Sequence, residues 1–261
     1  MEMLLMGKRT CIFGIIPVVL LISGCAAPNS GTVNLQSGYQ AYQQGRFFDA
    51  QNTARAYIAD NTTGQDLAEA YYLAAISEEH QDELALAAQD YQAAIAHSQR
   101  RDLQAKSYKA LGDISYIDAR FGQAATDYKN FMALMPTPAP DQRTLYRLGV
   151  ALQNSGHWND ARQYLDELVT SYPGSQLSKN ALQRLSMNHF ALQFGAWNNA
   201  AAAWRQVAGL KARGLAATVV PHTIAGRTLF LVQGGNCATY SAAMAARARA
   251  AALAPQVIVV P

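Results

Sequence analysis

Apolar positions along the chain follow two different periods, and the change between them falls near residue 188. Before it, small residues recur at a fixed interval: Ala50, Ala87, Ala124 and Ala161 stand 37 residues apart. Four positions after each come Ala54, Tyr91, Tyr128 and Leu165, and three beyond those come Tyr57, Ala94, Phe131 and Leu168. A small residue followed by apolar ones at these offsets is one face of a helix, here repeated along the chain. A second helical stretch precedes each, clearest in "LYRLGVALQNSGHWNDARQYLDELVTSYPGS". There Leu145, Leu148 and Leu152 form a stripe, Gly156 ends one helix, Trp158 packs ahead of Ala161 and Pro173 stops the next. "SQLSKNALQRL" reads as a closing helix. Helix pairs whose apolar face only a neighbour can cover predict an all-α solenoid over residues 37–187.

From His189 to Trp197 the period is two, with Phe190, Leu192 and Phe194 on one parity and Ala191 and Gln193 on the other. That alternation predicts a half-buried strand. The pattern returns 40 residues later: Phe190 with Phe230, Leu192 with Val232, Gln193 with Gln233, Gly195 with Gly235, and "VVP" at 219–221 with "VVP" at 259–261. Each half reads strand, glycine, alanine-rich helix, strand, so residues 188–261 are expected to be an α+β domain of order βαββαβ with both helices on one side of the sheet. The parity of Phe190, Leu192, Phe194, Phe230 and Val232 then faces the helices. Ala191, Gln193, Leu231 and Gln233 fall on the uncovered face, where two glutamines at matching positions form a small amide platform.

The helical part resembles the tetratricopeptide repeat, because Leu148–Gly149, Gly156, Trp158, Ala161 and Pro173 fall at that family's consensus places. The preceding unit repeats Leu111–Gly112, Phe121, Ala124 and Pro136, and the first keeps Gly38, Gly45, Phe47 and Ala50, while the unit around Ala87 keeps mainly its second helix. The resemblance implies a concave groove that docks segments of other proteins. The family's usual period is shorter by three residues, which implies longer turns or helices.

The second part resembles the SPOR domain through "LQFGAW", "LKARGL" and "FLVQGG". That resemblance implies binding to peptidoglycan, with preference for glycan strands stripped of stem peptides. It also places Gln193 on the first-strand glutamine of glycan contact. A serine common in the family is Ala196 here, and the third-strand arginine falls on Leu231, with Arg227 four residues earlier as the nearest basic replacement. Gln233 joins these as a candidate contact by its matching position. Trp197 matches an aromatic of the family's core, so it is not expected to be a sugar platform.

Charge separates the same two parts. The whole chain is +3, yet residues 25–186 hold 13 basic against 17 acidic residues, and residues 187–261 hold six basic residues and no acid. Modules with different partners are expected, the second facing something anionic or polyhydroxylated. The beginning of the chain supplies the compartment. Lys8 and Arg9 precede a twelve-residue apolar run, Cys11 to Ile22, broken by Gly14 and Pro17 and too short to cross a membrane. "ISGC" follows at once and resembles the lipobox of bacterial lipoproteins, which implies removal of residues 1–24 and a lipid on Cys25. Ala26 stands where an inner-membrane retention signal has Asp, so the expected site is the periplasmic face of the outer membrane. Residues 25–36 form the tether. Cys237 then has no partner for a disulfide.

No catalytic constellation, metal site or cofactor motif is expected. His80, His97, His157, His189 and His222 are scattered without ligand spacing, and the second part lacks the carboxyl pair that glycan cleavage generally uses. A nucleic-acid partner is not expected either. Sheet domains of this topology can bind RNA, but they stack bases on aromatics of the open face, and here the strand aromatics have the core parity. The expected protein is a lipoprotein that holds peptidoglycan glycan strands through its second part. Its repeats would dock unidentified envelope or division proteins. The alternative is a scaffold lipoprotein of envelope assembly that acts through the repeats alone. Cys25→Ser should leave the precursor uncleaved and without fatty-acid label. Normal labelling of that variant would remove Cys25 as the lipid site.

Overall fold

The computed structural model describes residues 34–135, 141–224 and 226–261. The expected signal segment 1–24, Cys25, the tether up to Val33, and Pro136 lie outside the described residues. Among the described residues nine helices come first: α1 (Leu35–Gln43), α2 (Phe47–Asp60), α3 (Gln65–His80), α4 (Leu84–His97), α5 (Arg101–Ile117), α6 (Phe121–Leu134), α7 (Gln142–Asn154), α8 (Trp158–Ser171) and α9 (Gln176–Leu185). Helix α1 opens inside the stretch read as tether, because Asn34 caps it by accepting from the Gln36 amide at 2.8 Å.

The 37-residue period is kept where the helices turn. Helices α2, α4, α6 and α8 each have 14 residues, and their first residues, Phe47, Leu84, Phe121 and Trp158, stand one period apart. Just before each of them a residue takes the left-handed conformation that reverses the chain: Gly45, Asp82, Ala119 and Gly156, with φ of +74°, +64°, +56° and +91°. Glycine does this freely, whereas Ala119 bears roughly 1–2 kcal/mol of strain. The three extra residues of the period go into long odd-numbered helices, 16 residues in α3 and 17 in α5. Before α7 they go into the connection 135–141. Among the described residues, buried residues of the solenoid cluster across runs of three neighbouring helices. Ala50, Ala54 and Leu73 join α2 to α3, and Leu145, Leu165 and Ala181 join α7, α8 and α9. Such stacking of neighbours is the physics of a solenoid.

The remaining elements are β1 (Phe190–Trp197), α10 (Ala200–Ala212), β2 (Thr218–Ile224), β3 (Arg227–Cys237), α11 (Tyr240–Ala251) and β4 (Ile258–Val260). They form one antiparallel sheet of order β2-β3-β1-β4. The duplication extends to the helix caps. Asn199 accepts from the Ala202 amide at 2.8 Å, and Thr239, forty residues on, accepts from the Ala242 amide at 3.1 Å. Both helices cover the same side. Ala203 and Leu210 of α10 and Ala250 of α11 share one core with Leu192, Phe194, Val232 and Val257.

Phe190, whose parity predicts a place in that core, is buried beside it, between the start of α11 and the solenoid. Its ring lies 5.1 Å from Trp158 and 5.8 Å from Tyr240. Tyr240 in turn is 5.7 Å from Phe121, and Phe121 is 5.7 Å from Tyr116. Five rings therefore run from the solenoid into the sheet domain. Within this ladder the Trp158 indole N–H donates to the Ala238 carbonyl at 2.8 Å. Phe47, the counterpart of Trp158 in α2, stacks on His80 of the next unit at 4.2 Å. The sheet domain meets Trp158 much as a further repeat would. A cut near residue 187 thus severs more than the closing helix. Trp158→Ala should cost roughly 2–4 kcal/mol, the sum of lost ring burial and one hydrogen bond. It should also split a single thermal transition into two, with faster hydrogen exchange confined to residues 188–261. An unshifted single transition would show that the ladder does not couple the two parts.

Candidate functional site

The uncovered face of the sheet can be read row by row, because cross-strand partners share a face. Thr218, Gln233, Gln193 and Ile258 form one row across all four strands. Val220, Leu231 and Ala196 form the next, and His222 with Leu229 a third. Gln193 and Gln233 are direct partners, and the Gln233 side chain donates to Gln193 Oε1 at 3.3 Å. One such bond leaves each amide with further donors or acceptors for a ligand. Around them the face is apolar, with Ile258 48% and Val220 38% exposed.

Two irregularities shape this face. Between Gln193 and Gly195, β1 carries one residue more than β3 opposite it. This bulge overturns the strict alternation expected as far as Trp197. Ala196 pairs with Leu231 on the open side, and Trp197 pairs with Phe230 on the helix side. There the Trp197 indole donates to Gln206 Oε1 on α10 at 2.6 Å. The second irregularity lies between Phe190 and Leu192, where β3 carries the extra residue and Gly235 has φ of +84°. Next to it β3 runs so close to the 214–217 connection that a Cβ on Gly234 would sit 2.1 Å from the Ala216 carbonyl oxygen. The close approach leaves a hollow of about 380 Å³ beside Gln233, walled by His189, Ala191, Ala217, Thr218 and Val220.

Of the four residues expected to contact glycan, Gln193, Gln233 and Leu231 come together. Arg227 does not. It shares their face but stands at the hairpin end of β3, six residues from Gln233, which is roughly 20 Å along a strand. The other cations are not around the face either. Arg205, Lys211, Arg213, Arg247 and Arg249 belong to α10, α11 or their ends, on the covered side, where Arg213 bonds the Leu253 carbonyl and Arg247 the Val257 carbonyl, each at 2.9 Å. The basic excess of residues 187–261 therefore does not frame the glutamines. Thr218, Val220, Leu229 and Ile258 also line the face; strand parity read from "VVP" in each half was the signal for Thr218, Val220 and Ile258, and parity with Leu231 and Gln233 the signal for Leu229.

A family model for the SPOR domain matches residues 186–261, the segment that forms this one-sided sheet. Residues 186–261 are a SPOR domain. Residues 143–175 match the tetratricopeptide repeat model. The chain is similar to the structure of Pseudomonas aeruginosa pilF, with a TM-score of 0.50 and 16% identity over 59% of this chain and 68% of that one. It is also similar to a tetratricopeptide repeat protein from Parabacteroides merdae, with a TM-score of 0.48 and 15% identity over 58% of this chain and 57% of that one. The first likeness is one of fold. No curated protein sequence matches the chain.

SPOR domains bind peptidoglycan and tetratricopeptide repeats mediate protein interactions, so both are binding modules. Among the described residues no cluster of His, Cys, Asp and Glu could hold a metal ion. The carboxylates that burial perturbs lie in the solenoid. Asp90 is pushed well above the usual range by burial and then by neighbouring Glu78, with Arg55 opposing. Arg55 donates to Glu78 at 2.5 Å and to Asp90 at 3.2 Å, which ties α2, α3 and α4 together. Glu78 is fully buried, so this pair holds helices and has no access to a substrate.

Proposed function

We propose that the protein holds peptide-free glycan strands of peptidoglycan on the uncovered sheet face of its SPOR domain. The observation that carries this reading is the Gln193–Gln233 pair, two amides hydrogen-bonded side by side at the middle of a sheet face that neither helix covers. Amides are matched to sugar hydroxyls and acetamido groups, and the apolar residues around them suit the CH faces of the rings. The SPOR domain holds no acidic residue, so nothing in it repels the lactyl carboxylates that stem-peptide removal exposes.

The remaining parts fit an envelope protein. Cys25 would carry the lipid that fixes the chain to the outer membrane on its periplasmic side. The solenoid would dock segments of envelope or division proteins while the SPOR domain holds the wall. Leu231, apolar where the family has arginine, favours a second reading. In that reading the repeats act as a scaffold and the sheet has kept only its fold.

Sedimentation with purified sacculi separates the two. Amidase removal of stem peptides should increase binding by the wild type. The Gln193→Ala, Gln233→Ala double variant should bind several-fold more weakly, in keeping with roughly 0.5–1.5 kcal/mol for each neutral hydrogen bond. Leu231→Glu puts a charge on the open face without entering the helix-facing core, so it should abolish the amidase-dependent increase and leave the melting temperature nearly unchanged. A wild type that sediments with neither preparation would establish the scaffold reading instead.

A further inference from the structure

The inner helices of the solenoid do not carry charge evenly. Along the stack α1, α3, α5, α7 and α9 touch one another, whereas α2, α4, α6 and α8 do not, so the first set forms the concave side. Of these, α3 holds Asp66, Glu69, Glu78 and Glu79 and no lysine or arginine. Helices α7 and α9 hold Arg143, Arg147, Lys179 and Arg184 and no acid. The basic end lies beside the SPOR domain, because α9 leads into β1 and α7 meets α11.

At that end two arginines reach back over tyrosines of the preceding inner helix. Arg147 lies over the Tyr116 ring at 5.4 Å, and Arg184 over the Tyr146 ring at 5.9 Å. Their charges are not equally spent. Arg147 donates to Asp113 at 2.6 Å. Arg184 has neutral partners, the Tyr146 hydroxyl at 3.2 Å and the Gln153 side-chain oxygen at 2.9 Å, and no carboxylate pairs with it among the described residues. It is half-buried and held from two sides, so its remaining N–H groups are already ordered for a ligand. Tyr116 stands between the two cations. Burial raises the pKa of its hydroxyl, and Arg184 and Arg147 both pull it down. The next residue, Ile117, is 62% exposed and lies one helical turn beyond Asp113, which puts an apolar side chain on the same face.

We propose that this end of the groove takes an acidic segment of a partner protein, with a carboxylate side chain on Arg184 and an apolar neighbour against Ile117. Charge complementarity chooses the occupant, since an ordered guanidinium without a counter-charge favours an anion. A concave surface excludes a flat bilayer and leaves a chain that can enter. The acids of α3 repel the same segment, so it lies across α5, α7 and α9, next to the SPOR domain. This rests on the reading that the repeats dock protein segments, and adds the chemistry and the place of what they dock.

The test uses the lipid-free chain and three labelled peptides of one Gly, Ser and Leu pattern, in which the variable position is Glu, Gln or Lys, read by fluorescence anisotropy. The Glu peptide should bind most tightly and lose its advantage as salt rises. Arg184→Gln should weaken the Glu peptide by roughly tenfold, the lower end for a hydrogen bond to a charged group at a half-exposed site, and leave the Gln peptide unchanged. Arg184→Lys keeps the charge without the planar fork and should restore part of the loss. If the Gln or Lys peptide binds as well as the Glu peptide, or if Arg184→Gln weakens the Glu and Gln peptides equally, the acidic partner is wrong and docking on the repeats stands. If none of the three binds, the docking reading fails and this inference with it. Sedimentation of the wild type with phosphatidylglycerol vesicles that Arg184→Gln abolishes would assign the cation to a membrane surface instead.

Discussion

Helices on one side only of a four-stranded sheet set the terms for everything in the second half of the chain. Leu192, Phe194 and Val232 must all point to the side that α10 and α11 cover, since their shared core with Ala203, Leu210 and Ala250 is the apolar mass that holds the sheet together. The other parity is then released from packing. It can carry Gln193 and Gln233 at the sheet centre without burying an unpaired amide, because each has the other and solvent as partners. The bulge at Phe194 and Gly195 works within the same constraint. It returns Trp197 to the helix side, where Gln206 receives its N–H, and moves small Ala196 onto the open face. A flat, fully alternating strand would have placed the indole on the open face opposite Leu229 instead.

The solenoid is joined to this domain by reuse of its own repeat. The first residue of α2, α4, α6 and α8 is large and apolar and sits after a left-handed turn. In α2 that residue stacks on the next unit. In α8 the position is Trp158, and what it meets is Phe190 and the Ala238 carbonyl. The ladder of rings thereby sets the orientation of the SPOR sheet relative to the repeats. A protein segment docked on the repeats and a glycan strand on the sheet would be held at a defined geometry, with little slack between them.

Much of this was legible in the residues. The periods of 37 and 40 could be read because helix and strand faces depend on local spacing, and because duplication supplies its own internal comparison. Gln193 and Gln233 could be placed opposite each other for the same reason. The bulge could not be foreseen. It depends on Gly195 meeting Gln206, a contact that strand parity does not contain. The cations misled in a related way. Composition counts six basic residues against no acid in residues 187–261, but only the fold reveals that five of them ride on the helices behind the sheet. Trp158 looked like an ordinary repeat residue, and its second partner lies eighty residues away.

Which face of the SPOR domain meets glycan is the claim on which the rest turns, and nuclear magnetic resonance can read it residue by residue. As peptide-free glycan is titrated into the protein, the side-chain amide signals of Gln193 and Gln233 should move. The backbone signals of Ala196, Thr218 and Leu231 should move with them, while those of Arg205, Lys211 and Arg249 on the helices stay in place. Shifts centred on the helix cations, with both glutamine amides unmoved, would contradict the account and put the ligand on the opposite side of the sheet.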